Sequence, residues 1–221
     1  MKSNGERSLK SLNMKWLALL AAADVLFVLL FVAPELLSGV TMTQIGIGRL
    51  LTTPMMPVIV LLLVNVLPHD VKSMLVYWKP LGILPGFEAF TLHGPRDSRI
   101  DMVALKKNVG ALPTEPTEQN TKWYKLYRLV PNEPEVFEAH KLFLMYRDMA
   151  VLSLPLVAVV PLSLNVAGAP ALTLALAVGL FATQYMLTAL SARWSGIRFV
   201  FNVLAIHSAR KITAAKTVVP K

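Results

Sequence analysis

Apolar residues in this chain gather into four runs, and each is long enough to read as one helix that no single protein face could cover. The first, 16–33, holds one charge, Asp24, near its middle. At about 1.5 Å per residue its roughly 18 residues cover roughly 27 Å, close to the thickness of a hydrocarbon core. The second, 50–67, has Pro54 and Pro57 near its start and is stopped by Pro68, so a crossing over 52–68 is expected. The third, 149–166, contains Pro155 and Pro161, and the fourth, 171–190, contains Gln184. Only residues 167–170 separate these last two. The pattern predicts an all-α integral membrane protein. Four transmembrane helices form two hairpins, 16–68 and 149–190, flanking a small, mainly helical segment over 69–148. The basic N-terminus and the small residues Ala21, Ala22 and Ala23 also fit a cleavable leader. Apolar residues continue well past those alanines, so a retained anchor is the reading adopted.

Basic residues give the orientation. Lys2, Arg7, Lys10 and Lys15 lie in the arm 1–15, eleven Lys and Arg lie in 69–148, and six follow residue 190. The other two connections share Arg49 alone. An even number of crossings with both ends and the middle segment on the cytoplasmic side satisfies the positive-inside bias, and three crossings would break it. The plasma (inner) membrane is the expected location.

Composition sharpens the class. The chain is 55% hydrophobic and 16% charged over 221 residues, whereas an ordinary soluble domain is about 25% charged. The net charge of +9 does not point to nucleic acid, because 69–148 balances its eleven basic residues with ten acidic ones. The excess sits at the termini beside lipid headgroups. With no cysteine, disulfides and thiolate metal sites are excluded.

Within 69–148, residues 74–78 read as an interfacial aromatic segment and 82–86 as a turn-rich loop. Weak alternation over 87–93 leaves room for a short strand. Ser98 and Asp101 fit a capping box opening a helix over about 99–108, ended by Gly110. Thr117 is placed as the cap of a helix over 118–129, with Trp123, Leu126, Tyr127 and Val130 on one stripe. A further helix from Glu135 meets no breaker before Met149, so it is expected to run on into the third crossing with Arg147 and Asp148 at the membrane surface. The tail 191–221 begins with a basic amphipathic stretch that either lies on the bilayer or packs back onto the middle segment.

The candidate chemistry is sparse. Asp24 is the sharpest residue, since a carboxylate inside a crossing faces a partner, a water path or a bundle interior. Asn65 and Gln184 are its nearest polar counterparts, and the three form a polar path or an interface. The plainer role is favoured for Asp24, a carboxyl that is simply protonated or is hydrogen-bonded for assembly. Arg96, Asp97 and Arg99 could hold an anion or a partner, although local ion pairing explains them as well. Gln119, Asn120 and Trp123 resemble a polar-aromatic rim, with capping and core packing as the plainer explanation. His140 is read first as a packing residue, and His69, His93 and His207 show no metal-ligand spacing. No phosphate loop, nucleophile elbow or acid/base pair is present, so no catalytic residue, metal or cofactor is expected.

The reading that follows is a non-enzymatic polytopic membrane protein acting through homo-oligomeric assembly, a pore or signal-responsive effector gated by its middle segment. The alternative is an anchor or scaffold that recruits a soluble protein through 87–147. A membrane enzyme using His140, Asp97 or His69 comes third. The architectural plan alone carries no function, because many unrelated membrane proteins share it.

Overall fold

The computed structural model describes residues 9–37, 66–80, 84–166 and 168–212. Among these residues every regular element is helical. Helix α1 is Leu9–Leu37, α2 is His69–Tyr77, α3 is Met102–Val109, α4 is Pro116–Tyr127, α5 is Pro134–Val166 and α6 is Ala171–Ala209. Between α2 and α3 the chain coils tightly, as a 3-10 turn over Pro85–Glu88, a π turn over Ala89–His93 and a second 3-10 turn over Gly94–Arg96.

Two of these helices, α5 and α6, are long and apolar enough to cross a membrane. They contain the third and fourth apolar runs, and α1 contains the first. The second run lies outside the described residues up to position 65, and Asn65 with it. Helix α5 is unbroken from Pro134 through Arg147, Pro155 and Pro161, as the lack of a breaker before Met149 predicts. Its end is specified locally. Gly168, at φ +81°, takes a conformation open to glycine, and its N–H donates to the Asn165 carbonyl while Ala169 N–H donates to Leu164. That pair of bonds caps the last carbonyls, and Pro170 bars continuation.

Several boundaries differ from the sequence expectation. Residues 87–93 form 3-10 and π turns, not a strand. The helix expected from about residue 99 starts at Met102, because Asp101 itself is the cap and accepts from Val103 N and Ala104 N at 2.8 and 3.0 Å. Ser98 is instead part of a turn closed by Ile100 N donating to Asp97 O. Helix α4 begins two residues early, with Glu115 accepting from Glu118 N at 2.8 Å and Pro116 in the first helical position. That proline has no N–H to satisfy and a φ already set for the helix. Finally, the fourth apolar run and the amphipathic tail form the single helix α6.

The chain divides into two compact units. The first comprises 1–76 and 144–192, the second 77–143 and 193–221. The core of the first unit is Leu17 of α1, Val151, Leu152, Leu156, Val160 and Leu164 of α5, and Ala177 and Phe181 of α6, with Phe27 edge-on to Phe181 at 5.7 Å. The core of the second joins Ala89 and Phe90, Leu105, Trp123 and Leu126, Val136 and Ala139 to Phe199, Val200, Val203 and Leu204 of α6. The stripe read on α4 is buried as expected at Trp123, Leu126 and Val130, and Tyr127 is partly buried. Of the two places open to the tail, residues 199–204 take the one against the middle segment.

Candidate functional site

In the first unit, polar side chains from three helices meet among apolar neighbours. The Gln184 amide of α6 donates to Asp24 Oδ2 of α1 at 3.2 Å and to Ser153 Oγ of α5 at 3.0 Å. The Ser153 hydroxyl in turn donates a hydrogen bond to the Met149 carbonyl at 2.9 Å. One glutamine side chain thus ties α1, α5 and α6 together. A polar side chain left without such bonds among apolar neighbours is costly, so this cluster constrains how the three helices align. It brings together two of the three polar residues singled out from the apolar runs of the sequence, Asp24 and Gln184, and adds Ser153. Small hydroxyls in an apolar run give no strong pattern, which is why Ser153 escapes a sequence reading.

A second polar cluster in the same unit is ionic. Arg147 Nε and Nη2 both reach Asp148 Oδ1, at 3.1 and 2.9 Å, and Lys72 Nζ lies 3.6 Å from the same oxygen. All three side chains are nearly fully buried. Arg147 and Asp148 therefore do not lie open at a surface; they pair with each other and with α2. Tyr185 of α6 donates to the Leu75 carbonyl at 2.6 Å, adding a second tie to α2. Partial burial and the nearby Arg147 cation hold His69 below the ordinary histidine range.

In the second unit Gln119 is the most engaged of the sequence-selected residues. It is 1% exposed, and its Oε1 accepts from Phe90 N at 2.9 Å and Thr91 N at 3.2 Å while its Nε2 donates to Thr114 O at 2.9 Å. The first amides of any helical turn lack internal acceptors, and Gln119 supplies one for the π turn. Asn120 and Trp123 flank Gly86 so tightly that a side chain there would overlap the Asn120 amide. Gln119 and Trp123 are therefore interior, not a rim.

His140 lies in an aromatic cluster. Its ring stacks on Phe199 at 4.6 Å with an interplanar angle of 3°, meets Tyr127 edge-on, and its Nδ1 is 3.2 Å from the Tyr127 hydroxyl. Trp123 packs edge-on against the same Phe199 at 5.0 Å. Arg99 grips Asp97 through two nitrogens, Nε to Oδ1 at 3.0 Å and Nη2 to Oδ2 at 2.7 Å, and Nη1 donates to Asn202 Oδ1 at 3.2 Å. The guanidinium holds the Asp97 carboxyl below its usual range. Arg96 is exposed and outside this pair.

Three further residues, none of them singled out as a site residue from sequence, hold this unit together. Asn202 Nδ2 donates to the Glu135 carbonyl at 2.8 Å. Asn108 Nδ2 reaches the carbonyls of His207 and Ser208, at 2.9 and 3.1 Å, and so caps α6 from a distance of about a hundred residues along the chain. His207 is 1% exposed with Nε2 3.0 Å from the Leu126 carbonyl. Among the described residues no three of His, Asp and Glu converge in a metal-binding group. No family model matches the chain, and comparison with the curated proteins and with the solved structures finds no similar protein.

Proposed function

We propose that the chain is a non-enzymatic membrane protein of four crossings that works by associating with copies of itself. Both ends and the segment 69–148 lie on the cytoplasmic side of the plasma membrane in this reading, as the distribution of basic residues favours. The observation that carries it is a column of small residues on α6. Ala175, Gly179 and Thr183, spaced four apart on one helix face, are all exposed, and a methyl group added at Gly179 meets nothing within 4 Å. Small residues at that spacing let two helices in a bilayer approach backbone to backbone.

In this scheme the Asp24–Gln184–Ser153 cluster holds helices together within one copy and lines no path. A path for solutes would need several copies, because four crossings enclose little space. Helices α5 and α6 each contribute residues to both units, so they are the routes by which a signal received by the second unit would reach the crossings.

The test is the mass of the full chain in mild detergent by light scattering. A multimer is expected, and Gly179→Ile should reduce it to single copies while helicity by circular dichroism is retained. A wild-type protein that is already a single copy overturns the proposal and leaves recruitment of a soluble partner through 87–147 as the better account.

A further inference from the structure

Three of the four tryptophans are exposed, and two of them belong to one built surface in the second unit. Helix α2 ends at Tyr77, and Trp78 then adopts φ +54°. Left-handed backbone is where helices commonly end on glycine, and a bulky residue there is an outlier. Two contacts hold it. The Arg193 guanidinium sits over the Trp78 ring at 4.7 Å. Three residues further along α6, Gly196 presents bare backbone to Tyr77 and Phe143, which seats the residue immediately before Trp78. Despite this support the Trp78 side chain is 47% exposed, and Trp194, next to Arg193, is 68% exposed. Trp123, by contrast, is 7% exposed in the core.

Trp194 and Arg198, one turn apart on α6, are both exposed. An exposed amphipathic ring followed one turn on by a cation is the order of groups found at a headgroup layer. The first unit shows a comparable pairing by itself, Lys15 Nζ lying 5.3 Å from the Trp16 ring centroid at the start of the first apolar run.

We propose that Trp78, Arg193, Trp194 and Arg198 form a docking surface for the headgroup layer of an anionic phospholipid bilayer, the indole rings lying at the glycerol level and the two guanidinium groups facing lipid phosphates. The two cations favour anionic over zwitterionic lipid, and the Arg193–Trp78 stack keeps one cation at the depth of the ring. This inference rests on the membrane reading above.

The test uses the full chain reconstituted into vesicles of phosphatidylcholine, with or without phosphatidylglycerol. Tryptophan emission is quenched by lipids brominated either close to the headgroup or deep in the acyl chain. Comparison with Trp78→Phe and Trp194→Phe isolates the emission of each ring. The expected result is loss of that emission to the shallow bromolipid more than to the deep one, larger when the brominated lipid is anionic. Replacing Arg193 and Arg198 together by Gln should abolish the preference for anionic lipid and leave helicity unchanged. Rings that neither bromolipid quenches overturn the inference, and dependence of their emission on the protein-to-lipid ratio would identify a second copy as the cover. Release of the protein by an alkaline carbonate wash would instead overturn the membrane reading itself, so the two failures are told apart.

Discussion

Tyr77 lies against the backbone of Gly196, its hydroxyl inside the space that a methyl group at that position would fill, with Phe143 Cδ2 3.1 Å from the same point. Gly196→Ala must therefore displace an aromatic side chain at the base of the second unit. Overpacking of this kind costs about 1–3 kcal/mol. Gly179→Ala has open space around it and should be neutral or stabilising by up to about 1 kcal/mol. Thermal unfolding of the two variants side by side in detergent checks the contrast.

Gln119→Ala should be among the most damaging single changes in the second unit. It strips Phe90 N, Thr91 N and Thr114 O of a buried partner. With about 1–3 kcal/mol for each buried group left unsatisfied, and some relief from water at the more exposed Thr91, a loss of about 2–4 kcal/mol is expected. Hydrogen exchange at the amides of residues 90 and 91 should accelerate before exchange in α3 does. Gln119→Glu should not rescue the protein, because the carboxylate has no proton to give to Thr114.

Asp24→Asn keeps an acceptor for the Gln184 amide and should be nearly silent. Asp24→Leu removes the tie between α1 and α6, at a cost of about 0.5–1.5 kcal/mol for a typical hydrogen bond. Gln184→Leu removes the bond to Ser153 as well and should cost more. Resistance to unfolding as sodium dodecyl sulfate is titrated into mild detergent ranks the three.

Acid should loosen the second unit. Burial holds His207 below the ordinary histidine value of 6.5, and the nearby Arg210 cation acts in the same direction. His93 is lowered mainly by burial, with Arg96 and Lys79 adding to it and Glu88 opposing it. A histidine kept neutral by the fold takes up its proton more readily when unfolded, so stability is complete above pH 6.5 and declines as pH falls below it. Denaturant midpoints followed by Trp123 emission should drop on acidification. His207→Gln should remove part of the slope while lowering the midpoint at neutral pH.

Helix positions were readable from sequence wherever one chain segment decides the outcome. The stripe Trp123, Leu126 and Val130 is a local periodicity, and the absence of a breaker between Glu135 and Met149 is a local fact that makes α5 continuous. What sequence did not disclose depends on distant partners. Alternation over 87–93 is compatible with a strand until Gln119, roughly thirty residues later, supplies acceptors for helical turns. Ser98 and Asp101 both suit a cap. Asp101 prevails because Arg99 binds Asp97 and holds 97–100 in a turn. Among the site residues, the Asp24–Gln184 pairing was visible as two polar groups in apolar runs. Lys72 joining Arg147 and Asp148 was not, since nothing near Lys72 in the chain marks it as buried.

The core of the second unit is closed by Phe199, Val200, Val203 and Leu204, and Asn108 caps the carbonyls of His207 and Ser208. A nascent chain leaves the ribosome from its N-terminus, so these groups emerge only after α5 and the first, most apolar part of α6 have been made. Until then the inward faces of Trp123, Leu126 and Val136 lack their cover. Translation stalled before residue 199 would leave an open middle segment with a bare apolar face, the form that a chaperone or a protease would meet first.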